Sequence, residues 1–496
     1  MCTVREQSGQ NPFKALKSIY AEKNIDFLKP SLKVAVVILM VTSISLFLYS
    51  AFNRDARPVW FRCPEVNNPN RTLNIVQVSS DYSPTNISHI AFGIGGSIQT
   101  WKDRKHYSEL WWKPNMTRGY VWLDKKPQHK TPRLENSIPY RISSDWTRFK
   151  HSIGSGSAVR IARVVSDLFR VGLPNVRWFV MGDDDTVFFT DNLVTVLEKY
   201  DHRRMYYIGG SSESVEQNVM HAHDMAFGGG GFAISYPLAA ELVRAMDGCL
   251  NRYHYFYGSD QRVWACVGEI GIALTKEPGF HQIDIRGDPY GLLAAHPMAP
   301  MVSLHHLDYV KPLFPNQTQL EALGTLMQAY RLDPTRTLQQ CFCYHRKHKW
   351  SVSISWGYTV QIYTTLLTAK ELEMPLQTFQ TWRSWSDGPF EFNTRAMSDD
   401  PCKQPVIFYL SSANDDGKGK TVTTYRKFMV KTVKKCGRSQ RAAAAIKNII
   451  VSASKMDPKE WNEGTRRQCC DINRSLNHGT MRISIRRCKQ RETVTV

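Results

Sequence analysis

Trp178-Phe179-Val180-Met181-Gly182-Asp183-Asp184-Asp185-Thr186-Val187-Phe188-Phe189 sets three consecutive carboxylates between two short apolar runs. Residues 177–181 read as a buried strand, which puts the triplet at a strand's carboxyl end. Like charges packed this closely repel one another and resist desolvation. A cation relieves that cost, and an Asp-x-Asp offers hard oxygen ligands suited to Mn²⁺ or Mg²⁺. A polar turn before a helix beginning near Asp191 would use the same residues, since Asp is a common turn and N-cap residue. The preceding strand favours a ligand site, because such sites in α/β sheets gather at the carboxyl ends of strands.

Strands and helices alternate outward from the triplet. Residues 89–93, 120–123 (ending at Asp124) and 206–209 read as strands. Val159, Ala162, Val165, Leu168 and Phe169 recur at helical spacing, and 193–200 reads as a second helix. This pattern predicts an α/β domain with a largely parallel sheet over 86–330. Beyond it, 350–363 alternates apolar and polar residues like a half-buried strand, and 405–410 is strand-like. Residues 331–496 are therefore expected to form an appended Cys-containing, basic α+β region, with 375–385 as connector.

The amino-terminal part reads differently. Residues 34–52 are nineteen in number and uncharged, close to the roughly 20 that span a bilayer. Lys14, Lys17, Lys23, Lys29 and Lys33 precede them, so the positive-inside rule puts 1–33 in the cytosol. The expectation is a single-pass type II anchor, a polar stem over 53–85, and a lumenal remainder. Sequons at Asn70, Asn86, Asn115, Asn316 and Asn473 all fall on that side. Of eleven cysteines only Cys2 precedes the anchor, leaving ten in an oxidising compartment.

The net charge is +20, with 64 basic and 44 acidic residues. Residues 401–496 hold 21 of the basic and 7 of the acidic ones. A basic tail suggests an anionic partner. A lumenal domain does not meet nucleic acid, which leaves acidic polysaccharide, anionic lipid, nucleotide-sugar phosphate or simply a solvated face.

Other residues carry possible chemistry. Gly228 to Gly231 would let backbone approach a bulky ligand; a bulge or tight packing would equally need them, and no Lys-Ser/Thr follows to make a P-loop. Asp260 opens a helical stretch, where a carboxylate serves as cap or as general base. His305 and His306 end an apolar run and offer a nitrogen ligand suited to Mn²⁺. Cys341-x-Cys343-x-His345 departs from zinc-site spacing, and disulfides are favoured.

Taken in order, WFVMGDDDTVFF (178–189), YYIGG (206–210), AFGGGGFAIS (226–235), YGSDQRVWACVGEIGIALT (257–275) and VSLHHLD (302–308) resemble the Fringe-like branch of glycosyltransferase family 31, especially its plant Fringe-related group. That resemblance implies a GT-A-type nucleotide-sugar transferase fold and a UDP-sugar donor held with Mn²⁺ or Mg²⁺ in the Golgi membrane. It implies Asp183, Asp185 and His305 or His306 at the metal, with Asp260 as catalytic base. Asp184, Asp124, Arg104, Gly229, Gly230 and Gly231 are implied at the nucleotide-sugar. The expected activity is inverting transfer to a glycan or glycoprotein hydroxyl, forming a β-1,3 linkage. The animal acceptor does not carry over, because the sequence after Asp260 departs from animal Fringe proteins. The competing expectation is a catalytically inactive carbohydrate-binding or scaffold protein of the same fold.

Overall fold

In the computed structural model, residues 37–45, 83–127, 137–150, 156–428, 436–473 and 479–495 are described. The chain divides into two units, Met1–Val78 and Ser79–Val496. Of the first, only an exposed helix over 37–45 is described. Among the described residues no helix is long and apolar enough to cross a membrane. The remainder of 34–52, the 1–33 tail, most of the 53–85 stem, and Asn70 lie outside the described residues.

The second unit begins with strands β1 Ile90–Gly95, β2 Arg118–Leu123, β3 Tyr140–Ile142, β4 Trp178–Asp183, β5 Val187–Phe188, β6 Tyr207–Gly209, β7 Phe232–Ser235 and β8 Leu274–Lys276. All but β5 form one sheet, ordered β3-β2-β1-β4-β7-β6-β8. Six strands run parallel and β7 runs against them. Residues alternate across it: Trp178 and Val180 enter one apolar cluster, Phe179 and Met181 another. Both faces are covered, which is why 178–181 reads as an unbroken apolar run. The helical spacing from Val159 to Phe169 belongs to two segments, Gly156–Ala162 and Val164–Arg170.

The sheet's order decides where the triplet sits. β1 is followed by β2 on one side, whereas β4 borders the later strands on the other. Gly95 and Asp183 are register partners at the carboxyl ends of β1 and β4. That is the switch point where open α/β sheets form a ligand crevice. A second, three-stranded sheet stands beside it: β9 Phe280–His281 and β5 both pair with Ser303–Leu304. With β10 Ile285–Gly287 between them in the chain, Ser303–Leu304 is β11. Because β5 directly follows the triplet, its pairing with β11 brings His305 to the acidic cluster.

The remaining strands are β12 Gln340–His345, β13 Trp350–Ser355, β14 Thr359–Tyr363, β15 Leu376–Gln377, β16 Phe379–Thr381, β17 Arg395–Ala396, β18 Val406–Asp415, β19 Lys420–Lys427, β20 Asn448–Ser454, β21 Cys469–Ile472 and β22 Thr480–Arg486. Eight of them form a sheet ordered β12-β13-β14-β18-β19-β20-β22-β21. The single half-buried strand expected over 350–363 is instead the hairpin β13–β14, buried on both faces. Several of its covered polar residues are satisfied: Ser355 Oγ donates to Leu293 O (3.2 Å) and Gln361 Nε2 to Tyr290 Oη (2.6 Å). The expected connector forms strands of its own, and β16 pairs with β10. Val352, Ile354, Phe408, Ile449 and Ile483 share one apolar cluster with Phe92, Trp178 and Val180. The α/β and C-terminal regions thus have a common core.

Disulfides Cys249–Cys266, Cys343–Cys470, Cys402–Cys436 and Cys469–Cys488 are formed, and Cys341 is a buried free thiol. Cys343 and Cys470 lie on the two outermost strands of the eight-stranded sheet, β12 and β21, so the bond joins its edges and covers them. With Cys343 in a disulfide, the 341–348 stretch is not a zinc site.

Candidate active site

Each member of the triplet has a different surrounding. Thr186 closes the turn: its N–H donates to Asp183 O (3.0 Å), while its Oγ1 accepts from Asp183 N (2.8 Å) and donates to Gly229 O (2.7 Å). Asp184 turns toward the helix Ile98–Glu109, accepting from Thr100 Oγ1 (2.5 Å) and Arg104 Nη1 (3.2 Å). Desolvation raises its pKa, with Thr100 and Arg104 pulling the other way. Asp185 is buried, with Arg104 Nη1 3.1 Å from Oδ2 and His305 Nε2 3.1 Å from Oδ1.

Asp183, Asp185 and His305 each offer one ligand atom, all within 4.8 Å of one another. Desolvation and the neighbouring carboxylates push Asp183 up to about 7 against the pull of His305. Its side chain is 34% exposed to the crevice, so water moderates that rise. Burial also works to raise Asp185, but His305 and Arg104 prevail and hold it well below the usual carboxylate range. His305 is pushed up to about 9: burial opposes this, and Asp185 and Asp183 outweigh it.

His306 is not part of this cluster. Its Nδ1 faces Asp284 Oδ1 at 2.8 Å, and its ring stacks on Trp382 with centroids 4.5 Å apart. Of the two histidines, the structure brings His305 to the acidic cluster. β11 ends at Leu304, and His306 adopts a left-handed backbone (φ 54°) that sets its ring against that of His305 (3.9 Å between centroids) with Nδ1 toward Asp284.

Asp260 lies in the first turn of the helix Ser259–Glu269. Its Oδ2 accepts from Gly228 N (3.1 Å) and its Oδ1 from Gln261 N (2.9 Å), which fixes the carboxylate. Asp183, Gly182, Gly228 and Asp260 line one cleft. Cys249–Cys266 ties this helix to Tyr236–Arg252 behind it. Gly229 packs directly under His305: a Cβ there would stand 2.0 Å from His305 Cε1. Gly230 N donates to Gln282 Oε1 (2.6 Å), and Gly231 N to Gly228 O (3.1 Å) closes the turn.

Arg104 bridges Asp184, Asp185 and Asp308, the last at 3.6 Å, and Tyr107 also donates to Asp308. Asp124 accepts from Ile98 N (2.8 Å) at the start of the Arg104 helix. Buried Arg160 lies under the crevice, donating to Trp122 O (3.0 Å). Burial lowers its pKa, and Asp124, Asp184 and Asp183 act the other way. The sequence reading missed Thr100, Arg160, Thr186, Gln282 and Asp308. Thr186 and Asp308 follow the acidic triplet and the His pair within two residues; nothing local marks the others. Asn86, Asn115, Asn316 and Asn473 are exposed.

The donors fit a divalent cation. His305 Nδ1 is buried without a hydrogen-bond partner among the described residues, and the two Asp185 oxygens are met only by the ion-pair contacts to Arg104 and His305. Native proteins rarely leave a buried polar atom without a partner, and an ion is one of the standard explanations. Two oxygens and one imidazole nitrogen make a set suited to Mn²⁺.

No curated protein matches the chain. Among solved structures, a glycosyltransferase involved in glycosylating the major capsid of PBCV-1 is 12% identical, over 47% of this chain and 98% of that one, with a TM-score of 0.24. The mannosyltransferase PcManGT of Pyrobaculum calidifontis, solved with GDP-Man and Mn²⁺, is 11% identical over 44% and 66%, with a TM-score of 0.21. At such TM-scores neither likeness carries an argument. The family model described as "Protein of unknown function, DUF604" matches residues 217–470, from just before the glycine turn through Asp260 and His305 to β21. That is half of the chain, and the chain belongs to the DUF604 family.

Proposed function

We propose that this chain is a metal-dependent, inverting glycosyltransferase of GT-A type that moves a sugar from a UDP-sugar to a glycan or glycoconjugate hydroxyl. The observation that carries the reading is the convergence of Asp183, Asp185 and His305 at the switch point of the sheet, with Asp183 lining one cleft together with Asp260. The five sequence blocks that resemble Fringe-like transferases support it, and they support a β-1,3 linkage as the product. The apolar span at 34–52 and the disulfides support a Golgi membrane location with a lumenal catalytic region.

Asp183, Asp185 and His305 would hold Mn²⁺ or Mg²⁺. When bound, that ion supplies positive charge against the charge developing on a departing diphosphate. Arg104 locks Asp184 and Asp185 in place, so Asp185 needs no reorganisation to bind. Asp260, held by two backbone N–H groups, takes the proton from the acceptor hydroxyl as it attacks. Attack from the face opposite the leaving group inverts the anomeric carbon, as in other two-carboxylate sugar chemistry.

The test is a screen of UDP-sugars with Mn²⁺, comparing wild type, Asp185→Ala and Asp260→Asn. Sugar release or transfer is expected in wild type, with loss of metal dependence in Asp185→Ala. Asp260→Asn is expected to slow turnover by roughly 10²–10⁴-fold while UDP binding persists. Full metal-dependent transfer by Asp185→Ala would overturn the assignment. UDP binding by wild type without any turnover would favour the non-catalytic scaffold instead.

A further inference from the structure

The segment after β16 returns from the C-terminal region to the acidic cluster and ends on an exposed aromatic ring. Trp382 stacks against His306 with ring planes 3° apart, and His306 in turn lies against His305 at 3.9 Å between centroids. The Arg286 guanidinium sits 3.9 Å from the Trp382 ring and 5.3 Å from that of Trp385, and Tyr309 lies 5.0 Å from Trp382. Trp385 itself is 57% exposed.

Two features of Trp385 are not explained by folding. Its backbone is left-handed, with φ 55°, a conformation that is an outlier for a bulky residue and persists only where the surroundings enforce it. The surroundings do enforce it. Thr381 N donates to Ser386 O (2.8 Å), Ser386 N to Thr381 Oγ1 (3.0 Å), and Ser384 N to Glu216 Oε2 (3.3 Å), while Ser384 Oγ also donates to Glu216. A loop is thus stapled to the helix Val215–Met220 in a shape whose outcome is a large ring held in water. Hydrophobic burial gains nothing from that arrangement.

We propose that Trp385, with Arg286 and Tyr309, forms the saccharide subsite that receives the acceptor. A pyranose ring presents a face of C–H groups and a rim of hydroxyls; a fixed aromatic ring suits the first, and guanidinium and phenol groups suit the second. The position fits as well. Arg286, which faces Trp385, also lies over Trp382, and the stack Trp382–His306–His305 runs from there to the metal cluster. The acceptor role rests on the transferase reading; the saccharide site does not.

The test uses the full chain as wild type, Trp385→Ala and Trp385→Phe, matched by thermal melting. Each is applied to a printed array of neutral and acidic oligosaccharides, and UDP with Mn²⁺ is titrated calorimetrically. Wild type is expected to bind at least one saccharide, with affinity falling about tenfold or more in Trp385→Ala and largely kept in Trp385→Phe. UDP affinity is expected to be equal in all three. No saccharide bound by wild type, equal binding by Trp385→Ala, or a loss of UDP binding in its place would each overturn the subsite. Trp385-dependent saccharide binding with no UDP binding would overturn the transferase reading and leave the saccharide site standing.

Discussion

At the scale of single residues, the site depends on what His305 can touch. Gly229 is the clearest case, because the missing side chain is the space the imidazole occupies. Gly229→Ala is expected to displace His305 and weaken Mn²⁺ binding by roughly 10–100-fold, the range seen when a ligand's support is lost. Calorimetric titration with Mn²⁺, alongside a melting curve to show the fold is kept, measures this. Away from the cluster, buried His296 gives the chain a pH dependence. Its Nδ1 donates to Pro297 O (2.7 Å), so its Nε2, 3.0 Å from His281 Nε2, is an acceptor that burial keeps unprotonated. Burial first, then His281, push its pKa well below the usual value. The unfolded chain therefore binds the extra proton first. The contribution is intact above the unfolded value of about 6.5 and is lost progressively as pH falls beneath it. The urea midpoint should drop between about pH 7.5 and about pH 5.5, less steeply in His296→Gln. The triplet and Asp260 were legible in the sequence because carboxylates beside apolar strands and helix starts are local signals. Which histidine of the pair meets the triplet was not, since that depends on where β11 stops.

At the scale of elements, the parallel pair β1–β2 rests on one close backbone approach. Gly119 pairs with Phe92 and has φ 145°, and a Cβ there would come within 2.1 Å of the Phe92 carbonyl oxygen. Backbone cannot move aside as a side chain can. Gly119→Ala is expected to cost roughly 3 kcal/mol or more, read as a lowered urea midpoint with unchanged slope. Strand alternation around the triplet was legible because both faces of that sheet are apolar-covered. The β13–β14 hairpin was not. Its serines, threonine and glutamine alternate like solvent-facing residues, yet they are buried against groups from 290 to 293 and 365 that no local pattern announces.

At the scale of the molecule, the expected boundary near 330 falls inside a shared core. Tyr330 is buried against Phe189 and its hydroxyl meets Asp191, while Tyr358 Oη donates to Leu313 O (2.9 Å). A chain ending at 330 would expose Tyr290 and Phe314, whose rings pack on Tyr358 and Tyr409. At roughly 1.5–3 kcal/mol for each large apolar side chain, such a fragment is expected to be unfolded or aggregated, which circular dichroism and gel filtration would show. Composition had marked the C-terminal half as basic and Cys-rich, but its part in the core rests on pairings far apart in sequence. One of them has a chemical consequence. The Cys341 sulfur lies within 4.8 Å of the Cys343–Cys470 pair, and burial pushes its thiol up to about 12. A protonated thiol is a poor nucleophile toward a disulfide. Packing therefore acts as the guard of the bond's pairing: any loosening that wets Cys341 would create an attacking thiolate next to its target, and misfolding would be recorded covalently as a Cys341 mispair.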